Sequence, residues 1–306
     1  MDDNAFAARL AESGAIVERE LDVRLTAEPR PGEPARPRRL IEAMRYATLG
    51  GGKRLRPFLA IETARALGRE DEGPLRAGAA IECVHAYSLI HDDLPAMDDD
   101  DLRRGRPTTH RAFDEATAIL AGDALQAMAF EILADPATDR NADVRAALCV
   151  GLARAIGLAG MVGGQMLDID AETSAAPLSV GEIELLQAMK TGALLKFSVE
   201  AGSRLGGAGR KASAALSAYG RAIGAAFQIA DDILDAEGDA ATLGKRAGKD
   251  AAQNKATLIG ALGLEGARRE LARLVDEAIS SVAAAGLGPD GDVLRATARF
   301  VATRKK

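Results

Sequence analysis

Almost every long segment of this 306-residue chain carries the residue pattern of an α-helix. Alanine, leucine, glutamate and arginine dominate these segments, and apolar residues recur at intervals of three and four. Alternating runs of Val, Ile and Thr, which would indicate half-buried strands, are missing. The pattern predicts an all-α protein in which about ten or more helices form one large domain, residues 1–306.

Glycine and proline mark where these helices should end. The stretch Thr26–Pro37 holds four prolines and is predicted to be an irregular connection. Further breaks are predicted at 135–136, 171–181, 206–209, 238–248 and 286–291. None of them is long enough to separate two independent domains.

Composition narrows the possible functions. A net charge of -6, only 3% aromatic residues and no Trp argue against a general nucleic-acid binder. Cys83 and Cys149 both have apolar neighbours and are expected to be buried free thiols, as in a reducing cytoplasm. The acidic N-terminus lacks the layout of a signal peptide, and the uncharged run 155–167 is too short to span a bilayer. We therefore expect a cytoplasmic protein without a membrane anchor.

Two aspartate clusters lie inside these apolar, Ala-rich stretches. The first is HDDLPAMDDDDLRRGRP, residues 91–107, and the second is FQIADDILD, residues 227–235, with lysines at 245, 249 and 255 after it. Carboxylates packed this closely repel one another and lose hydration. Mg²⁺ would remove that penalty, since it prefers oxygen ligands and shares its shell with substrate phosphates. The clusters and the cations beside them indicate a diphosphate site bridged by metal, while a solvated acidic face is the alternative for either cluster alone.

Helical geometry treats the two clusters differently. Asp231 and Asp235 are four residues apart and share one helix face. Asp92 and Asp98 are six apart, which on a regular helix leaves them about 120° out of line. Because Pro95 removes a backbone donor, we expect a kink or the helix end to bring Asp98 back toward Asp92.

The clusters closely resemble the two aspartate-rich motifs of trans-isoprenyl diphosphate synthases. The resemblance runs from GGGKRLRP at 50–57 to about Lys255, and the basic turn at its start lacks the spacing of a P-loop. A basic turn at a helix start would be an ordinary alternative for that segment alone. The first motif, with its two extra residues, is similar to that of the bacterial short-chain farnesyl diphosphate synthase branch.

This resemblance implies an all-α bundle of the isoprenoid synthase type, with a deep central cavity, assembled as a homodimer. Three Mg²⁺ ions would join both motifs to an allylic diphosphate. Their ligands would be Asp92, Asp98 and Asp231, with Asp235 counted in the metal-binding set. Asp93 and Asp232, like Asp235, would be supporting carboxylates.

The resemblance also implies two groups of substrate-binding residues. The first group would hold isopentenyl diphosphate without metal, through fixed cations: Gly52, Lys53, Arg56, His85 and Arg104. The second would contact the allylic substrate or line the cavity: Arg103, Gln165, Lys190, Thr191, Gln228, Lys245 and, with a solvated role equally open, Lys255. Phe227 would line the homoallylic site, with simple core packing as the alternative. The catalytic set comprises Asp92, Asp98, Arg103, Lys190, Gln228, Asp231 and Lys245. Asp168 is expected to orient a lysine rather than bind metal.

Product length would depend on the floor of the cavity. Tyr87 lies five residues before Asp92, about 7.5 Å along the helix axis, and could block a growing tail. Ser88 beside it is small. The resemblance links an aromatic residue here to fifteen-carbon products and a smaller one to twenty; simple core packing of Tyr87 is the alternative.

The expected activity is therefore Mg²⁺-dependent condensation of isopentenyl diphosphate with dimethylallyl or geranyl diphosphate to farnesyl diphosphate. Geranylgeranyl diphosphate synthase is the nearest alternative, followed by a silent partner subunit, which would usually lose part of a motif. A terpene cyclase would have no use for the basic site around Lys53, Arg56 and His85. A divalent-cation buffer is a poorer alternative, because the strong cations beside the carboxylates would weaken metal binding in the absence of an anionic ligand. The C-terminal Arg304-Lys305-Lys306 could close over the site or be solvated.

Overall fold

The computed structural model describes residues 1–174, 176–242 and 258–304. Helices dominate these residues, and the strands among them are two-residue segments, β1 (Leu102–Arg103) and β2 (Arg106–Pro107). The predicted all-α class is confirmed.

Thirteen α-helices lie within the described ranges. They are α1 (Asp3–Arg24), α2 (Arg38–Thr48), α3 (Leu55–Ala66), α4 (Glu72–Asp92), α5 (Thr109–Ala112), α6 (Glu115–Ala134), α7 (Ala142–Ile156), α8 (Met161–Thr173), α9 (Val180–Gln187), α10 (Ala193–Leu205), α11 (Arg210–Thr242), α12 (Leu258–Ala284) and α13 (Asp292–Thr303). A π-helix (Ala188–Gly192) joins α9 to α10, and a 3₁₀ turn (Gly288–Gly291) precedes α13.

Most predicted breaks coincide with helix ends. Residues 26–37 are irregular, and α6 ends immediately before Asp135-Pro136. The break predicted at 238–248 lies mostly outside the described residues; its first part, as far as Thr242, still belongs to α11. The interruptions that were not predicted include residues 67–71 between α3 and α4, the turn at 157–160 between α7 and α8, and a kink in α12 at Gly263, where φ is 69°.

The chain divides into two compact units, of which the first comprises Ala7–Ile61 and Glu70–Cys149. Its centre is α4 packed on α6, with α2 against both. The Asp71 carboxylate caps α4 by accepting from the backbone N–H of Gly73 at 3.0 Å. Buried side chains such as Ile81 and Leu125 fill this core, each contributing about 1.5–3 kcal/mol.

The second unit comprises Met1–Phe6, Glu62–Arg69 and Val150–Lys306. Its long helix α11 packs against α10, α12 and α13. Tyr219 on α11 is fully buried, and its hydroxyl donates to the backbone oxygen of Leu294 at 2.8 Å. Buried phenols need such a partner, so this bond helps to fix α11 against α13.

Two stretches are long and apolar enough to cross a membrane by length and composition alone, α6 and 142–173. Core helices of soluble proteins pass the same test, so the observation is weak. The turn at 157–160 also interrupts the second stretch.

Candidate active site

The first aspartate cluster begins where α4 ends. The chain turns after Asp92, and the backbone N–H of Asp98 donates to the backbone oxygen of Asp92 at 2.8 Å. Asp99 follows in the left-handed region, with φ of 49°. The prediction that the helix end returns Asp98 to Asp92 is thereby confirmed. Asp92 is half-buried and Asp98 is exposed.

Asp93 faces the interior instead. It is 3% exposed and accepts from Arg103 Nε at 2.7 and 3.0 Å, one bond to each carboxylate oxygen. Burial raises the pKa of Asp93, and the bonds from Arg103 oppose that shift. Asp93 is therefore a support that orients Arg103, as the resemblance implied.

A tight hairpin carries the two arginines of the first motif. β1 and β2 pair in antiparallel register, and Arg104 and Gly105 form the turn with φ of 52° and 74°. The Arg104 guanidinium donates to the backbone oxygen of Gly51 and covers Gly52. Gly52 has a φ of 134°, which favours glycine, and a Cβ there would lie 2.9 Å from Arg104 Nη1 and displace the guanidinium.

Several of the predicted cations gather around His85. Burial and the nearby charges of Arg56 and Arg104 lower the pKa of His85 well below its usual range. Burial, followed by repulsion from Arg54, also lowers the pKa of Arg104. Lys53 is exposed at the same turn. Arg56 and Arg104 thus lie close enough to His85 to disfavour its charged form.

Tyr87 and Ser88 follow His85 on α4. The Tyr87 side chain is buried, and its ring makes an edge contact with His91 at 5.8 Å between centroids. Burial raises the pKa of its phenol; Gln126 lies close enough to oppose this shift but makes no well-formed hydrogen bond to it. The Ser88 hydroxyl donates to the backbone oxygen of His85 at 3.0 Å.

In the second unit, Asp231 and Asp235 share one face of α11, as their spacing predicts. Asp232 is turned away and accepts from the side-chain amides of Gln228 at 2.9 Å and Gln187 at 3.1 Å. Burial raises the pKa of Asp232, and both amides counteract it. Gln228 thus supports the cluster. Gln187 is a second support, which no sequence pattern indicated.

Lys190 lies in the π-helix and pairs with Asp168 of α8. This contact confirms that Asp168 orients a lysine. A Cβ on Gly164 would lie 2.2 Å from the Lys190 backbone nitrogen, so α8 can approach the π-helix only at glycine. Thr191, which follows Lys190, and Gln165, which lies on α8 before Asp168, are both half-buried.

Arg304, the last described residue, covers part of the second cluster. Its guanidinium pairs with Asp231, donates to the backbone oxygen of Phe227 at 2.9 Å and lies 3.6 Å from the centre of the Phe227 ring. The Arg304 side chain is only 7% exposed. The C-terminal basic residues were expected either to close over the site or to be solvated. Arg304 is not solvated, and it closes over Asp231, a predicted site residue.

The remaining predicted cations, Lys245, Lys249, Lys255, Lys305 and Lys306, lie outside the described residues. Within the described ranges, no three acidic, His or Cys side chains stand close enough to hold a metal ion by themselves. Both cysteines are free, as predicted. The expectation that both are buried is confirmed for Cys83 and wrong for Cys149, which is half-buried.

Comparison with known proteins identifies the family. A model of the polyprenyl synthetase family matches residues 37–285. This chain belongs to that family. It is 49% identical to farnesyl diphosphate synthase of Escherichia coli K12 over 273 residues, covering 87% of this chain and 90% of the relative.

Two further comparisons bear on fold and product. The structure of an apo FPP/GFPP synthase from Zymomonas mobilis superposes with a TM-score of 0.87 at 45% identity, covering 98% of this chain and 100% of the other. The large subunit 1 of the heterodimeric geranylgeranyl pyrophosphate synthase of Arabidopsis thaliana is 42% identical, over 88% of this chain and 73% of its own length.

Proposed function

We propose that this chain joins isopentenyl diphosphate to dimethylallyl and geranyl diphosphates and stops at farnesyl diphosphate. The observation that carries the proposal is its 42–49% identity to several farnesyl diphosphate synthases over 87–88% of its length. It is accordingly a short-chain trans-prenyltransferase of the geranyltranstransferase type. Both aspartate motifs are complete, which argues against a silent subunit.

The donor set fits Mg²⁺, because both clusters offer only hard carboxylate oxygens. In the second cluster the guanidinium of Arg304 already pairs with Asp231, so that carboxylate accepts a cationic partner. We assign Asp92, Asp98, Asp231 and Asp235 to three Mg²⁺ ions shared with the allylic diphosphate. When bound, the metal would neutralise charge on the departing diphosphate.

Two cations would add to that neutralisation from fixed positions. Asp93 holds the Arg103 guanidinium by two hydrogen bonds, and Asp168 holds the Lys190 ammonium. Groups oriented in advance do not need to reorganise as charge develops on the leaving oxygen. The proposed allylic site is completed by Thr191, Gln228, Lys245 and Lys255, of which the two lysines lie outside the described residues. Phe227 would line the homoallylic site instead.

Isopentenyl diphosphate would bind at the cation group of the first unit. Lys53, Arg56, His85 and Arg104 would grip its diphosphate without metal, with Gly52 providing room for Arg104. The double bond of this substrate then attacks the allylic carbocation, and loss of one proton from the adduct completes the condensation. No base from the chain is assigned to that proton, because the released diphosphate can accept it.

The family also suggests a deep central cavity within a single functional domain, and a cytoplasmic homodimer. Exposed Ile119 and Leu120 on α6, at 44% and 57%, offer apolar surface for a second copy. Tyr87 supports a fifteen-carbon product. Geranylgeranyl diphosphate synthase is the second candidate, because the Arabidopsis relative is 42% identical.

The test incubates purified protein with Mg²⁺, isopentenyl diphosphate and each allylic starter, and measures the carbon number of the product. Farnesyl diphosphate from both starters is expected. Asp92→Ala and Asp231→Ala should each abolish turnover, whereas Asp276→Ala, on α12, is a control for loss of one carboxylate. Absence of any product from the unmodified protein would refute the proposal.

A further inference from the structure

Arg54 differs from the other cations of its turn, because its side chain points into the core. Lys53 before it is exposed and Arg56 after it is half-buried, whereas the Arg54 side chain is 3% exposed. Its guanidinium donates to the backbone oxygen of Thr48 at 2.7 Å and to Glu18 at 2.9 Å, and it pairs with Glu82. Because the guanidinium is buried among one carbonyl and two carboxylates, and its Nε is buried as well, it faces the core rather than a substrate diphosphate.

The backbone of Arg54 is held in a conformation that an isolated chain avoids. Its φ is 50°, in the left-handed region. Non-glycine residues remain there only when the surroundings over-determine the conformation. The three partners of Arg54 supply that constraint, and α3 begins at the next residue, Leu55. The direction in which Lys53 and Arg56 leave the turn therefore depends on the Arg54 contacts.

Glu82 connects this turn to the helix that carries His85. Both residues lie on α4, three positions apart, and so share one side of the helix. The Glu82 side chain is 4% exposed, and its charge helps to raise the pKa of Arg54 against the effect of burial. The pair thus joins the turn that carries Lys53 and Arg56 to the helix that carries His85, and Arg56 lies close enough to His85 to affect its pKa.

We propose that Arg54 is a positioning residue for isopentenyl diphosphate: its pair with Glu82 fixes Lys53 and Arg56 relative to His85. The inference rests on the proposed function, and it assigns Arg54 no contact with substrate. Because the contacts that hold the allylic diphosphate are made by other residues, losing the pair should affect the two substrates unequally.

The variant Arg54→Met keeps an unbranched apolar stem but removes the guanidinium and its charge. We expect KM for isopentenyl diphosphate to rise about ten-fold or more, since small misplacements of binding groups are costly. KM for geranyl diphosphate should change less than about two-fold. The matched control is Arg76→Met. Arg76 also lies on α4, its side chain is 11% exposed, and it pairs with Asp135. It should leave both KM values unchanged.

A second variant separates positioning from stability. Arg54→Met leaves Glu82 buried and unpaired, so it should lower the melting temperature. Arg54→Met combined with Glu82→Leu removes both charges and should recover much of that temperature, but not the KM for isopentenyl diphosphate. Recovery of both together, or an equal rise of both KM values in Arg54→Met, would overturn the inference.

Titration calorimetry with isopentenyl diphosphate alone measures the affinity for this substrate independently of catalysis. The unmodified protein should bind it, and Arg54→Met should bind it about ten-fold more weakly. Binding without condensation would refute the proposed function while leaving the inference in place. Condensation with equal affinities in the two proteins would refute the inference alone, and no binding by the unmodified protein would refute both.

Discussion

Removing the side chain of Arg304 should strengthen divalent-cation binding at the second aspartate cluster. The Arg304 guanidinium pairs with Asp231 and is held over Phe227 by a ring contact and a hydrogen bond to the backbone oxygen. A metal ion that takes the same carboxylate oxygen must displace this cation. Arg304→Ala removes the competitor and leaves the carboxylate in place.

The size of the effect follows from the contacts that must be broken. A hydrogen bond to a charged group contributes about 1.5–3 kcal/mol, and a desolvated cation–π contact up to about 2 kcal/mol. The Asp231 side chain is 43% exposed, so solvent screens its part of the pair and reduces that sum. A net competition of about 1.4 kcal/mol corresponds to about ten-fold in affinity. We expect Arg304→Ala to bind Mn²⁺ about ten-fold more tightly.

The measurement is a Mn²⁺ titration of substrate-free protein, followed by electron paramagnetic resonance of the free ion. Arg299→Ala is the matched control. Arg299 is an exposed arginine on α13, the helix that ends just before Arg304, and its loss changes the net charge equally. Arg304→Lys should give an intermediate affinity, since lysine keeps the charge without the planar stack. Equal affinities of Arg304→Ala and the unmodified protein would refute competition, and weaker binding by Arg304→Ala would show that Arg304 helps to shape the metal site.

Three further outcomes are expected. Tyr87→Ala should shift the main product from fifteen to twenty carbons, because it removes a buried phenol about 7.5 Å along α4 from Asp92; Tyr87→Phe should not, and chromatography of dephosphorylated products distinguishes them. Binding of isopentenyl diphosphate should be accompanied by proton uptake and should weaken as pH rises, because the pKa of His85 is low in the free protein and the bound anion would raise it. Calorimetry in buffers of different ionisation enthalpy measures this uptake, and binding without it would contradict the prediction. Cys83, whose pKa burial raises to about 12, should resist maleimide in the folded protein while half-buried Cys149 reacts, as mass spectrometry of labelled peptides can establish.

Local chemistry predicted the features that depend on neighbouring residues in the chain. The spacing of Asp92 and Asp98, with Pro95 between them, required a departure from regular helix, and the Asp98 N–H bond to the Asp92 backbone oxygen is that departure. The four-residue spacing of Asp231 and Asp235 likewise gave one helix face directly.

Features that depend on distant residues could not be predicted in this way. Arg54 stands among basic residues, and no local pattern reveals that its side chain turns inward toward Glu18 and Glu82. The one available signal was Glu82 itself, a lone acid in the apolar run 79–84, which needs a buried partner. The hairpin turn at Arg104 also departs from the helical pattern, and its left-handed residues are stabilised by contacts with the segment around Gly51.

In each motif, one aspartate of the Asp-Asp pair points inward and the other outward, and helix geometry explains why. Adjacent residues on a helix point about 100° apart, so the two members of an Asp-Asp pair cannot face the same ligand. Asp93 turns inward to hold Arg103, and Asp232 turns inward to hold two glutamine amides, leaving Asp92 and Asp231 as the outward members. Asp93→Asn should therefore act through Arg103. It should raise KM for the allylic diphosphate while leaving Mn²⁺ affinity within about two-fold, whereas Asp92→Asn should weaken Mn²⁺ binding directly. Equal losses of Mn²⁺ affinity in both variants would mean that Asp92 and Asp93 act together as metal ligands. They would refute the separate role of Asp93 in orienting Arg103.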